Sequence, residues 1–304
     1  MYFWKKRLNY ILNTNSQVLD TSKGPVEYAI YGHGPIVVGM HGAPGGYDQI
    51  ICLGEMIAKE GFELIGWSRP GYLRTPLHVG KTIEEQADVL AELLDHLLID
   101  KIALLAISAG GPSALQFAIR HPDRISALIM EAAVTKTYKP EFIEKNKLFV
   151  KIGLSDLGLW LLHWMFRIAP KKTLEKFLSF ESSLDSTEIK KLSSSVIKDT
   201  AKMEFLSKIL QSLAPMSRRS QGFYNDLKQL QNMKDIPYEK IQCPTLIIHG
   251  TSDKDVPLEH AEELSQKIPH AEFLKIEKGT HLLNLSNLFQ HAEEKIIQFL
   301  RDNS

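Results

Sequence analysis

Cysteine is scarce in this sequence. The 304 residues hold two, Cys52 and Cys243, too few for a disulfide framework and without the paired spacing of a zinc site. Two reduced, largely buried thiols are expected. Net charge is missing as well. The 36 basic and 36 acidic side chains cancel, whereas a dedicated nucleic-acid binder carries a basic excess, so no nucleic-acid partner is expected. No long hydrophobic run is present. The most apolar internal stretch, Leu157–Ile168 (LGLWLLHWMFRI), is interrupted by His163 and Arg167. It falls well short of the roughly 20 residues a membrane span needs. The start, MYFWKKRLNYILN, puts aromatics ahead of its charges. It has neither the clean apolar run nor the small-residue cleavage site of a secretory signal. These absences predict a soluble cytoplasmic protein with no transmembrane segment. Leu157–Ile168 is where any weak peripheral membrane contact would occur, and nothing in the sequence fixes the oligomeric state.

What is present suits a large packed core. Hydrophobic residues make up 44% of the chain and charged residues 24%, a balance that argues against disorder. Short β-branched and apolar runs recur through the first 135 residues, at Val26–Tyr31, Ile36–Met40, Phe62–Gly66, Ile102–Leu105 and Ala127–Met130. Between them lie segments of helical periodicity, Gln49–Lys59, Ile83–Leu98 and Gly110–Arg120. In Ile83–Leu98 the apolar residues Ile83, Ala87, Leu90, Ala91 and Leu94 fall mostly three or four apart, one face of an amphipathic helix. Alternating strand and helix predicts an α/β fold, with a mostly parallel central sheet flanked by helices on both faces.

The alternation then stops. From about Thr135 to Lys240 there is no convincing strand, only Lys- and Leu-rich helical segments broken by prolines. After Cys243-Pro244 it resumes, with strands at Thr245–His249 and Glu272–Ile276 and helices at Leu258–Ile268 and Leu288–Leu300. The expected organisation is an α/β core over 1–134 and 241–304, split by a helical insertion over 135–240. The insertion also resolves the charge. Lys136 to Lys240 holds 19 Lys/Arg and 12 Asp/Glu, an excess of +7, so the neutral chain is a basic insert on an acidic body.

Four motifs carry chemistry. A buried strand runs into Ala106-Ile107-Ser108-Ala109-Gly110-Gly111 and directly into a helix. This strand–tight turn–helix, with a serine at its apex, is the context of a nucleophile elbow. Ala106 stands where glycine is usual; alanine is also small enough for the sharp turn. On its own Ser108 reads equally as the N-cap of an ordinary helix. A second strand ends in His41-Gly42-Ala43-Pro44-Gly45-Gly46, a glycine-rich turn able to aim backbone N–H groups at developing charge. No Lys-Ser/Thr follows, which excludes a P-loop. The third and fourth motifs each follow a strand: a loop bearing Asp253 and Asp255, and a loop ending in His281. The carboxyl edge of an α/β sheet is where such folds bind ligands, and Ser…Asp…His is the chain order of one triad type.

At this point the sequence resembles the α/β-hydrolase fold superfamily. The resemblance runs from Val26 to about Leu300 and is weakest across the insertion. It is carried by His41-Gly42-Ala43-Pro44, Arg69-Pro70-Gly71-Tyr72, the elbow around Ser108, and Gly250-x-x-Asp253-x-x-Val256-Pro257 with Gly279-Thr280-His281. It implies a serine hydrolase with Ser108 as nucleophile, His281 as base and Asp253, rather than Asp255 or Glu131, as the acid. It further implies an oxyanion hole from the backbone N–H groups of Ala43 and Ala109, a helical cap (lid) over 135–240, and no metal or organic cofactor. His41 and Arg69 would be structural, and His121-Pro-Asp-Arg124 an ordinary helix exit. Family members with an aspartate nucleophile are excluded by Ser108.

The expected activity is esterase-like cleavage of a small-molecule acyl substrate. C–C bond hydrolysis, proline iminopeptidase or amidase action, and thioester or lactone hydrolysis are the alternatives on the same residues. HGAPGG is similar to the HGGPGG of prolyl iminopeptidases, but AISAGG lacks the Trp typical beside their serine. A non-catalytic ligand-binding protein on this fold is the remaining alternative. Trp160, Trp164, Met165, Phe166 and Arg219 are expected around the substrate, the aromatics as an apolar wall and Arg219 as a partner for an acidic group.

Overall fold

A computed structural model describes residues 1–303, with the side chains of 141, 142, 147 and 149 outside the description. The sheet has eight strands: β1 (Gln17–Thr21), β2 (Gly24–Gly32), β3 (Ile36–Met40), β4 (Glu63–Trp67), β5 (Ile102–Ile107), β6 (Ile125–Glu131), β7 (Thr245–Gly250) and β8 (Glu272–Ile276). Their spatial order is β1-β2-β4-β3-β5-β6-β7-β8. The β1–β2 and β2–β4 pairs are antiparallel; all the others are parallel.

The central strands read as continuous apolar runs because both of their faces are covered. In β5 every residue is buried, and its side chains alternate between two cores. Ile102, Leu104 and Ala106 face one core, while Ala103, Leu105 and Ile107 face the other. The first core is completed by the helices Ile83–His96, Gly111–Arg120 and Glu259–Lys267; the second by Tyr47–Leu53, Glu55–Lys59 and Phe289–Asp302. Ile83–His96 begins on a capping box, in which the Thr82 hydroxyl accepts from the Glu85 N–H and the Glu85 carboxylate returns to the Thr82 N–H.

Two elements lie outside the sequence expectation. The helix Tyr2–Thr14 packs Leu8 against Leu159, Met216 and Phe223 of the helical segment and Leu12 against Ala29 and Tyr47 of the body, and β1 is a mostly exposed edge strand. The helix expected over Gln49–Lys59 is interrupted at Gly54.

Between β6 and β7 the described residues form seven helices, Glu141–Lys145, Lys147–Gly153, Asp156–Ile168, Pro170–Glu181, Ser186–Lys198, Thr200–Ser212 and Ser220–Gln231, and no strand of the sheet. This segment has an apolar cluster of its own around Leu174, Leu178, Val196 and Leu206, into which Leu285 of the body inserts. Charge meets charge along the seam. Arg219 pairs with Asp48 at 2.7 Å, Lys208 with Glu55 at 2.6 Å and Lys136 with Glu263 at 2.7 Å. Part of the basic excess of the segment is therefore neutralised by the acidic body. Among the described residues, no helix is long and apolar enough to cross a membrane.

Candidate active site

The chain leaves β4 for β5 on the far side of β3, so the direction of winding reverses between β3 and β5. Ligands bind at the carboxyl ends of strands at such a reversal. Both glycine-rich motifs end there. Ser108 sits at the tip between β5 and the helix Gly111–Arg120, with φ of +50°, in the left-handed region that a non-glycine residue enters only at a cost of about 1–2 kcal/mol. Crowding sets the small residues around it. A Cβ on Gly110 would come 2.3 Å from the Met40 carbonyl, and one on Gly111 would come 2.2 Å from the Val134 carbonyl. Ala106 is fully buried.

His281 bridges the other two residues. Its Nδ1 lies 2.8 Å from Asp253 Oδ2, and its Nε2 lies 3.1 Å from Ser108 Oγ. The carboxylate can only accept, which puts the ring proton on Nδ1 and leaves Nε2 to accept from the hydroxyl. Asp253 is itself fixed, because its Oδ1 accepts from the N–H groups of Asp255 and Val256, both at 2.9 Å. Burial lowers the pKa of His281, but the charge and hydrogen bond of Asp253, then Asp255 and Glu181, outweigh it and hold the imidazole above its ordinary range.

Gly42 passes directly beside the serine, since a Cβ there would lie 3.1 Å from Ser108 Cβ. The loop is braced by Gln49, whose Oε1 accepts from Gly42 N–H at 2.8 Å and whose Nε2 donates to the Pro44 carbonyl at 3.0 Å. Ala43 and Ala109 meet in one apolar cluster with Val134, Leu230, Val256 and Tyr138. The two backbone segments therefore lie side by side next to Ser108.

His41 is occupied elsewhere. Its Nδ1 donates to the Gly42 carbonyl at 2.7 Å and its Nε2 accepts from Arg69 N–H at 3.0 Å. Burial, then the Arg69 charge, holds its pKa well below the usual imidazole value, so the ring is neutral with both nitrogens used. Arg69 makes a buried two-pronged pair with Asp226, at 2.9 and 2.6 Å. Glu131, at the end of β6, is buried and pushed up to about 7, chiefly by that burial. The carboxylate that hydrogen-bonds His281 is that of Asp253.

The structure corrects the role expected of Arg219. Arg219 is fully buried. It donates to the Gly45 and Ala214 carbonyls at 2.6 and 3.0 Å and to both oxygens of Asp48 at 3.0 and 2.7 Å. It is therefore a brace behind the HGAPGG loop and holds no charge free for a substrate. Trp164 and Met165, on the helix Asp156–Ile168, lie about half exposed. Trp160 stacks edge-on against Trp164, with ring centroids 6.2 Å apart, and Phe166 is buried in the apolar cluster of the segment. A long apolar helix gives no sequence cue as to which side is covered.

Comparison with known proteins identifies the fold family. A family model described as the alpha/beta hydrolase fold matches residues 35–288. The chain belongs to the α/β-hydrolase fold family. Among its relatives, the uncharacterized hydrolase YcgS of Bacillus subtilis is 28% identical over 288 residues, covering 91% of this chain and 95% of that protein. The 2-hydroxy-6-oxo-2,4-heptadienoate hydrolase of Pseudomonas putida is 27% identical over 236 residues, covering 74% of this chain and 76% of that protein. An alpha/beta hydrolase fold protein from Nakamurella multipartita superposes with a TM-score of 0.88 at 30% identity, over 95% of this chain and 100% of that one.

The α/β-hydrolase sequence left two side chains at the site unmarked. Gln49 braces the loop from within a helix and has no motif around it. Glu181 lies at the end of Pro170–Glu181, far in sequence from the residues it approaches. Backbone pairing of Ser182 with Asp253 brings it to the loop after β7.

Proposed function

We propose that this α/β hydrolase is a serine hydrolase that cleaves a small ester through an acyl-serine intermediate. The observation that carries this reading is the continuous hydrogen-bonded chain Ser108–His281–Asp253. His281 Nε2 takes the proton of Ser108 Oγ as the oxygen attacks the acyl carbon, and returns it to the leaving alcohol. Asp253 holds the ring in the tautomer that presents a free Nε2. The backbone N–H groups of Ala43 and Ala109 receive the oxyanion; a donor of this kind contributes about 3 kcal/mol to the transition state. Water then repeats the sequence on the acyl-enzyme. The helical segment 135–240 serves as the cap over Ser108, held to the body by its seam of ion pairs.

A second reading is favoured by the named substrate of the Pseudomonas putida relative. A 2-hydroxy-6-oxo-dienoate contains no ester or amide, so its hydrolysis breaks a C–C bond beside the ketone. The two readings separate on a panel of p-nitrophenyl acetate, p-nitrophenyl butyrate and a 2-hydroxy-6-oxo-dienoate. The ester reading expects the higher kcat/KM on the esters, abolished in Ser108→Ala. Preference for the dienoate by the wild type would replace it with the second reading.

A further inference from the structure

Two carboxylates at the site have no part in the triad. Glu181 is carried to the loop after β7 by main-chain pairing. Lys254 N–H donates to the Glu181 carbonyl at 2.9 Å, and Ser183 N–H donates to the Ser252 carbonyl at 3.0 Å. The Glu181 side-chain oxygen Oε1 is buried and has no hydrogen-bond partner. Asp255 Oδ2 lies 3.6 Å from His281 Nε2, the nitrogen that also meets Ser108 Oγ, and its side chain is half exposed. Asp255 thus lies beside the nitrogen that would hand its proton to the leaving group. Tyr138 packs in one apolar cluster with Ala43, Ala109 and Val256.

The nearby arginines and Lys278 are committed, while Lys254 stands exposed on the loop between Asp253 and Asp255. Arg69 is held by Asp226 and Arg219 by Asp48, and Lys278 pairs with Glu188. The charges of His281, Asp255 and Asp253 act on Glu181, and those of His281 and Asp253 on Asp255.

We propose that this site selects a substrate whose leaving group carries an ammonium ion, held by Glu181 and Asp255 and by the ring of Tyr138. The inference rests on the serine-hydrolase reading above and names its substrate class. A buried carboxylate oxygen without a donor is costly, and a cationic ligand relieves it. Burial pushes the Glu181 carboxyl well above its ordinary range in the empty site. An arriving ammonium supplies the missing counter-charge and favours the ionised carboxylate of Glu181. Aromatic rings add to such binding. An anionic leaving group meets the carboxylates of Asp253, Asp255 and Glu181, with Arg69, Arg219 and Lys278 already paired elsewhere. This separates the site from one built for a dienoate.

The test compares three butyrate esters by pH-stat: choline butyrate, its neutral isostere 3,3-dimethylbutyl butyrate, and anionic 3-(butyryloxy)propionate. The wild type should favour the cation over the isostere by about tenfold in kcat/KM and the anion least. Glu181→Gln should bring the cation-to-isostere ratio close to one. Asp255→Asn, at a half-exposed position, should lower it in the same direction should Glu181→Gln fold poorly. Calorimetric titration with butyltrimethylammonium reads the same site without turnover, and binding should weaken in both variants. A wild-type ratio of one or less, a ratio unchanged in both variants, or no binding of the ammonium overturns the inference. Ammonium binding without cleavage of any ester overturns the serine-hydrolase reading instead.

Discussion

Asp253 holds His281 from a carboxylate that is itself held on both oxygens. Oδ2 accepts from His281 Nδ1 at 2.8 Å, and Oδ1 accepts from two backbone N–H groups of its own loop. The rigidity of the carboxylate fixes both the direction of the ring and its tautomer. Asp253→Asn should keep the fold but let the amide donate to Nδ1, turning the ring proton to Nε2. The expected loss in kcat on p-nitrophenyl butyrate is of the order of 10⁴-fold with little change in melting temperature. A loss below tenfold would remove Asp253 from the mechanism.

The pH profile follows from the neighbours of His281. As the proposed base, His281 works only when neutral, and Asp253, Asp255 and Glu181 together hold its proton above the ordinary imidazole range against the opposing effect of burial. kcat/KM for a neutral ester should therefore rise with pH through an ionisation above 6.5. Removing a negative neighbour weakens the hold on the proton. Asp255→Asn should accordingly move this limb to lower pH. A limb that stays in place or moves upward would contradict the arrangement.

Much of the fold was legible in the sequence, for a physical reason. Strands covered on both faces must be apolar throughout, so β3, β5 and β7 announced themselves, and the helices between them carried one buried face each. The edge strand β1 did not, because an exposed five-residue strand need not be apolar. The Ser108, Asp253 and His281 positions were legible because each follows a strand at one edge of the sheet. Arg219 was not. Its partner Asp48 is 171 residues away, and an arginine that braces a loop is indistinguishable in sequence from one that meets a substrate. Glu181 carried no motif at all, since its placement comes from the pairing of Ser182 with Asp253.

Arg219 provides a direct check on that distinction. It holds the Gly45 carbonyl of the loop that presents Ala43. Arg219→Met should slow neutral and anionic esters by the same factor, about 10–100-fold, as the loop loses its position. A selective loss on anionic esters would restore Arg219 to the substrate pocket.

The Arg69–Asp226 pair links the loop after β4 to the helix Ser220–Gln231 and is almost wholly buried on both sides. Asp226→Asn leaves a buried guanidinium without its counter-charge, and Tyr72 loses a carboxylate acceptor as well. Urea unfolding should show a loss of about 3–5 kcal/mol. A loss under about 0.5 kcal/mol would mean that the pair does not join the segment to the body.

The most direct measurement is fluorophosphonate labelling followed by peptide mass spectrometry. A serine activated by His281 and Asp253 should carry the phosphonate at Ser108 alone. Labelling should vanish in Ser108→Ala and fall sharply in His281→Ala. Undiminished labelling of Ser108→Ala, or a wild-type Ser108 left unmodified at saturating reagent, would contradict the assignment of Ser108 as the nucleophile.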